Sequence, residues 1–519
     1  MPRLPRKSDP IWPGNVIRPE DPFNETRTQL QNAERLRQSG QTDKALAICE
    51  QLVKQHPRYM GALHTLGLLC ADRRDYPRAL GFLVRAAMLN PRHWRTLTAL
   101  SNVYLKLDAP EMAAQVLEAA RKINPEDAGI LSTLGEIYHS QREYELAAET
   151  FSKALSLDRT LWAADMRLGQ CCVHLGQYAE AAAALENVAK RRTTSINPLL
   201  WLADLPPAFV KPGLLSRIDK AVQGEHRDKA DFESSVYFAR AAVLDKTGRH
   251  AEAWKYLVAG NRTMFGAKRD ECTKAFQLQQ EILERVRNSR FKVRGGVSGQ
   301  GKNAISLFIL GPSRSGKTTM EKLVSAINGV KRGYENPIAE NAVRHAFQDD
   351  GFLTSELYEY LPRELEKSCR EIYLDDLEYR VGSARVFTNT HPGRLADAAR
   401  IAAIVPNVRF IFVKRNLDDI TLRIYMKKYA EGFSFSYDIE AIHSYVTWYY
   451  RMIDMLAEKF PKISLVIQYE DMIADPAAAL NSAAELCGLE LLEVTLPEIG
   501  DDRGCAEPYR AFMASALQS

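Results

Sequence analysis

The chain has no cysteine framework, no long apolar run and almost no charge imbalance. Its 519 residues include eight cysteines, and none stands in a C-x-x-C spacing. Zinc and redox-dithiol chemistry therefore have no sequence support, and the adjacent pair Cys171-Cys172 is badly spaced for a bridge. A reducing, cytoplasmic setting is expected. No uninterrupted apolar stretch reaches the length of a membrane span. The opening MPRLPRKSDPIWPGNVIRPEDP has basic residues with no apolar segment behind them, so no secretory signal is expected. Its prolines predict an extended lead-in over 1–27. The formal net charge is only +4, which gives no electrostatic case for nucleic acid. Hydrophobic residues at 46% and charged residues at 26% are ordinary for a globular protein of two to four domains.

What is present is periodicity. Alanines recur at 45, 79, 113, 147 and 181, a period of 34. Leu66, Leu100, Leu134 and Leu168 keep that period, and Gly67, Ser101, Gly135 and Gly169 follow them. Pro57, Pro91 and Pro125 close three units, and Tyr76, Tyr144 and Tyr178 share another register. A 34-residue period with a lattice of small residues is the tetratricopeptide signature. Small side chains let the two helices of a unit approach, and large ones fill the gap to the next unit. Four units are expected over 28–190, then an irregular connection over 191–227, rich in turn formers. GRHAEAWKYL at 248–257 resembles GQYAEAAAAL at 176–185, so further repeat-like helices are expected over 228–295. Stacked repeats present a surface for a protein or peptide partner.

After Gly295-Gly296 the pattern changes. AISLFIL (304–310) has strand length and leads into GPSRSGKTT (311–319), followed by the helical TTMEKLVSAI. VRFIFV (408–413) and ISLVIQY (463–469) are further strands among helical stretches. The expectation is an all-α superhelix followed, over 300–519, by a three-layer α/β domain with a parallel sheet. The loop fits G-x-x-x-x-G-K-[ST] through Gly311, Gly316, Lys317 and Thr318. Strand, glycine loop and helix together favour an anion, because backbone N–H groups and the helix dipole converge there. Pro312, Ser313, Arg314, Ser315 and Thr319 complete the candidate binding loop. A nucleotide-hydrolysing enzyme would also need an acidic residue for magnesium at a second strand end. VRFIFV ends instead in Lys414-Arg415-Asn416; Tyr469-Glu470-Asp471 and the YLDD stretch (373–376) are the alternatives.

Three ordered blocks favour a different reading. They are the Pro312–Gly316 core of the loop, FVKRNLDDITLRIYMKKYAEGFSFSYDIEAI, and YEDMIADPAAALNSAAELCGL. Together with the repeats, they resemble bacterial tetratricopeptide-repeat sulfotransferases over nearly the full length. The resemblance implies 3′-phosphoadenosine 5′-phosphosulfate (PAPS) as donor and no metal. It places the 5′-phosphosulfate on residues 311–319 and the 3′-phosphate on Arg415. It also implies transfer to a hydroxyl or amine, with the repeats recruiting a protein, peptide or glycan acceptor.

Arg314 matches the family's loop cation, and Lys317 lies nearby to neutralise the leaving phosphate. Glu335 in KRGYENP and His391 in FTNTHPGRL compete for the role of base. Three positions depart from the family pattern: Lys317 replaces a threonine, Thr390 replaces a lysine, and Arg423 replaces a serine eight positions after Arg415. Arg423 is kept as a phosphate contact because a guanidinium pairs well with phosphate. Arg503 and Tyr509-Arg510 are further candidate donor contacts. The aromatic-rich stretch from Tyr425 to Met452 is expected to be a helical lid with its rings in the core, not a nucleic-acid surface. A phosphate-loop ATPase or kinase, and a non-catalytic adaptor with a degenerate nucleotide domain, remain as alternatives.

Overall fold

The structure is a computed structural model that describes residues 24–222, 230–289, 291–294, 299–347, 363–429, 434–491 and 494–517. Most of the expected lead-in lies outside these residues, and the helix Asn24–Gln38 takes in its end. The described residues fall into two compact units that divide between Ala184 and Leu185.

The first unit is built of paired helices. Successive first helices begin at Met60, Trp94, Ala128 and Trp162, and second helices at Thr42, Tyr76, Pro110, Tyr144 and Tyr178, 34 residues apart each time. The periodic alanines 45, 79, 113, 147 and 181 are all fully buried on those second helices. Gly67 and Gly135 explain the small-residue lattice. A Cβ on Gly67 would lie 2.6 Å from Leu83, and one on Gly135 would lie 2.7 Å from Phe151. The turn between the two helices of a pair carries one left-handed residue: Gly40, Arg74, Asp108, Arg142 and Gly176, again at the period. With the pair that opens at Asn24, five helix pairs are described where the sequence suggests four units.

Of the connection expected to be irregular over 191–227, the described part, 191–222, is largely helical, and 223–227 lie outside the described residues. It contains the helices Asn197–Asp204 and Leu214–Val222. Its prolines sit at a helix start (Pro198) and in the link between helices (Pro206, Pro207), where a missing N–H costs nothing. The repeat-like helices that follow are Ala230–Lys246 and His250–Asn288. Gly248 makes the same left-handed turn as the repeats. The second of these helices runs for 39 residues and does not stop at repeat length. Its far end places Ile282, Leu283 and Val286 in the core beneath the sheet.

That sheet has five parallel strands: β1 Ile305–Leu310, β2 Val330–Lys331, β3 Val386–Asn389, β4 Val408–Lys414 and β5 Ser464–Gln468, in the order β2-β3-β1-β4-β5. The strands read from AISLFIL, VRFIFV and ISLVIQY are β1, β4 and β5. The short β2 and β3 carry too few apolar residues to announce themselves. β1 is buried along its whole length, and its side chains alternate between layers. Ile305, Leu307 and Ile309 pack with Met320, Leu323 and Leu480, whereas Phe308 and Leu310 pack with Leu377, Met452 and Ile453. Helices therefore cover both faces, as a parallel sheet requires.

Gly135→Ala should lower the unfolding free energy by about 1–3 kcal/mol, because the added methyl overpacks against Phe151. Gly176→Ala meets no neighbouring atom and loses only its left-handed freedom, about 1 kcal/mol. Thermal and urea denaturation of the two variants should rank them in that order.

Candidate functional site

In a parallel sheet, ligands meet the carboxyl ends of the strands, most of all where the strand order reverses. β1 is the reversal point here, with β3 on one side and β4 on the other. Leu310 leads into the loop, Asn389 into Thr390-His391, Lys414 into Arg415, Gln468 into Tyr469 and β2 into Glu335. Every strand thus delivers candidate residues to one edge.

The loop is shaped by close approach. A Cβ on Gly311 would lie 2.6 Å from the Val413 carbonyl, and one on Gly316 would lie 2.4 Å from the Tyr469 ring. Gly316 (φ 98°) and Arg314 (φ 67°) both have left-handed backbone, which turns the chain into the helix Lys317–Val324. Thr318 and Arg314 are exposed, Thr319 is half-buried, and Ser315 is fully buried. Ser315 Oγ has no hydrogen-bond partner among the described residues. The Ser313 hydroxyl pairs with the Tyr429 hydroxyl at 2.7 Å. Lys317 is buried and donates back to the Pro312 carbonyl at 2.9 Å. Burial pulls its ammonium down to about 8; nearby Glu335 opposes that fall and Arg314 deepens it.

Arg415 is buried at the next strand end, its guanidinium 4.5 Å from the centre of the Tyr469 ring. It donates to the Arg314 carbonyl (3.1 Å), the Asp502 carbonyl (2.5 Å) and the Asp502 carboxylate (3.0 Å). Its Nε is buried without an acceptor among the described residues. Arg423, two helix turns beyond the Asn416 cap, holds the same carboxylate through Nε (2.8 Å) and through Nη2. Burial works against the Asp502 charge, but the two guanidiniums outweigh it and hold the carboxyl below its ordinary value.

The base candidates lie across the loop. Glu335 is exposed, between buried Tyr334 and Asn336. The turn before it is fixed by Glu321, fully buried, which accepts from the Tyr334 N–H at 2.9 Å and pairs with Arg332 at 3.1 Å. Asn336 donates to the Thr388 carbonyl at 2.9 Å. His391 accepts the Gly393 N–H on Nδ1 at 3.1 Å, and its Nε2 faces Glu340 at 3.7 Å. Glu340 also pairs with Arg394 at 3.2 Å. Burial pushes its carboxyl up against the pull of Arg394.

Residues 306–493 match the model of the Sulfotransferase family. Residues 30–92, 98–160 and 138–198 match Tetratricopeptide repeat models. The chain is a sulfotransferase-family domain behind tetratricopeptide repeats. Curated relatives include anaphase-promoting complex subunit 3 of Schizosaccharomyces pombe, 23% identical over 28% of this chain and 22% of its own length. An uncharacterized protein of Aquifex aeolicus is 22% identical over 49% of this chain and 35% of its own. The chain thus spans only a minor part of these relatives. Among solved structures, MamA from Desulfovibrio magneticus is 24% identical, with TM-score 0.30, covering 32% of this chain and 95% of that one. PilF of Pseudomonas aeruginosa is 18% identical, with TM-score 0.36, covering 40% and 95%.

Within the sulfotransferase-family domain, the structure gathers Arg314, Lys317, Glu335, Arg415 and Arg423 at one sheet edge. Other candidates lead elsewhere. Arg503 is exposed and turned to Asp501 at 2.7 Å; Tyr509 is buried and donates to Asp245 at 2.8 Å; Arg510 pairs with Glu507 at 2.6 Å. YLDD lies inside the helix Arg363–Val381, where Asp375 pairs with Lys302 at 2.5 Å, so it offers no strand-end acid. Glu470 accepts the Asn416 N–H at 2.9 Å, binding the second and third blocks together. Among the described residues, the stretch expected to be a lid holds the end of one helix at Tyr425 and another helix over Ile439–Lys459, with Tyr437, Trp448 and Tyr449 buried. Sequence reading gave no role to Glu321, Glu340, Tyr429 or Asp502, although Tyr429 lies within the second block; their partners are distant in the chain.

An anion in the loop favours the charged form of Lys317, so its binding takes up a proton above about pH 8. Affinity for ADP should therefore fall as pH rises beyond that value. Lys317→Met should remove the slope. Calorimetry in buffers of different ionisation heat measures both.

Proposed function

We propose that the protein is a sulfotransferase that uses PAPS to modify a hydroxyl or amine on an acceptor recruited by the repeats. One observation carries this reading. Two unlike groups suited to anions lie side by side, a backbone loop at 311–319 and a guanidinium pair at Arg415 and Arg423, joined by the Arg415 bond to the Arg314 carbonyl. A nucleotide phosphorylated at both ends of its ribose needs two such sites.

The residues fit that donor. On the 5′ side, the helix start, the exposed Thr318 and the unpartnered Ser315 hydroxyl suit an oxyanion. On the 3′ side, the unpartnered Arg415 Nε and the forked guanidinium geometry suit a phosphate. When bound, the donor supplies an activated sulfuryl group. The chain does the rest. Arg314 and Lys317 set positive charge beside the loop, which counters charge on the departing phosphate. Glu335, whose charge acts on Lys317, takes the acceptor's proton. His391 suits that role less, because its Nδ1 is occupied by the Gly393 N–H and its Nε2 faces Glu340. His391 and Arg394 instead hold Glu340.

The repeats fit the recruitment of a protein, peptide or glycan, since stacked helix pairs offer an extended surface. The eight cysteines are unbridged, and seven of them are buried, which supports a cytoplasmic setting. No described helix is long and apolar enough to cross a membrane.

Arg415→Ala should weaken adenosine 3′,5′-bisphosphate by about ten- to a hundredfold, the worth of a charge-assisted hydrogen bond, and ADP by far less. Equal losses for both ligands in calorimetry would remove the 3′-phosphate assignment. Glu335→Gln should keep bisphosphate affinity while donor turnover falls by about a hundredfold or more. Full turnover in that variant would return the base role to His391.

A further inference from the structure

The two guanidiniums assigned to the 3′-phosphate already hold a carboxylate. Asp502 Oδ2 lies 3.0 Å from Arg415 Nη2 and 2.8 Å from Arg423 Nε, and its Oδ1 meets Arg423 Nη2. Two oxygens of one anion are thus gripped by two arginines, which is the way a phosphate would be held. A phosphate dianion brought to the same place would meet Asp502 as a like charge within a few ångströms.

We propose that Asp502 is a built-in rival of the donor's 3′-phosphate and sets how strongly the pocket discriminates 3′,5′-bisphosphorylated from plain 5′-phosphorylated nucleotides. This rests on the donor reading above. Asp502 stands on a short stretch that can yield without unravelling its surroundings. Downstream, the chain is pinned by other contacts: Asp419 accepts from the Gly504 N–H (2.7 Å) and the Ala506 N–H (2.9 Å), and Tyr509 donates to Asp245 (2.8 Å). Upstream, Lys322 donates to the Glu498 carbonyl at 2.6 Å. Between these anchors lie Ile499-Gly500-Asp501-Asp502-Arg503. Gly504 has φ 70°, and the space around Gly500 is open. Apart from its two arginines, Asp502 is held among the described residues by one hydrogen bond, from its N–H to the Tyr469 hydroxyl at 3.2 Å. A 3′-phosphate that displaces the carboxylate therefore exchanges one partner of the guanidiniums for another. A nucleotide with only a 5′-phosphate leaves Asp502 where it is.

Arg423 belongs to this device. It stands where the family resemblance expects a serine, and it contributes two of the contacts that retain Asp502. The substitution and the acid together form a matched pair of charges.

The test is calorimetry of the full chain with adenosine 3′,5′-bisphosphate and with AMP, expressed as the ratio of the two dissociation constants. Both ligands are measured on one preparation, so loss of folded protein cancels in the ratio. Asp502→Asn and Asp502→Ser should each raise the preference for the bisphosphate by about tenfold, with AMP affinity changed less than about twofold. Asp501→Asn, at an exposed neighbour whose carboxylate is paired with Arg503, should move the ratio by less than about twofold. An unchanged or reduced preference in both Asp502 variants, with the wild type still favouring the bisphosphate, would overturn the rivalry alone. An equal rise in Asp501→Asn would also overturn it, pointing to the net charge of the loop. If neither the wild type nor any variant prefers the bisphosphate over AMP, the 3′-phosphate reading falls, and this inference with it.

Discussion

The buried guanidinium of Arg415 ties together segments that are far apart in the chain. It reaches the loop through the Arg314 carbonyl, rests on Tyr469 from the third block and holds Asp502 near the chain's end. The Tyr450 hydroxyl fixes its backbone from the opposite layer, accepting its N–H at 2.8 Å and donating to its carbonyl at 2.6 Å. A buried cation is tolerable when an opposite charge is near and most of its donors are met, as here for both terminal nitrogens of Arg415. The edge of the sheet is therefore organised around one charge, and the loop's glycines, the tyrosine and the tail are the surfaces fitted to it.

The same economy of space governs the repeats. Five buried alanines at one period and glycines pressed against Leu83 and Phe151 bring paired helices into contact. The left-handed turn residues return at that period, yet three of them are Arg74, Asp108 and Arg142. Packing along the helices outweighs the cost of about 1 kcal/mol at each such turn.

Much of this was legible in the residues. Spacing gave away the repeats because each pair must solve one packing problem identically. β1 and β4 were legible because strands buried on both faces read as unbroken apolar runs, and β5, though half-exposed at the sheet edge, keeps the run Leu465-Val466-Ile467. The glycine loop was legible because its backbone demands particular residues. What stayed hidden depended on contacts distant in sequence. The two-residue β2 has no pattern to read, and the helices within 191–227 were masked by prolines placed where prolines do no harm. Arg415 was identifiable as a strand-end cation, but its partner is Asp502, 87 positions away, not the neighbouring Asp418 or Asp419. No local rule links them. Glu340 and Glu321 were missed for the same reason, since an acid on a helix looks solvated until the fold buries it.

The helix His250–Asn288 has one further bearing. At about 1.5 Å per residue it is close to 60 Å long, and it contributes Leu257 to the packing around Tyr425 and Val286 to the packing under the sheet. Asn261 also donates to the Tyr425 carbonyl at 2.9 Å. A fragment trimmed to begin near residue 300, where the composition changes, would lose this rod and leave oily surface bare on Leu456, Phe460 and their neighbours. The sheet-bearing half is thus not a detachable module at that border; its smallest self-sufficient piece has to start among the helices before it.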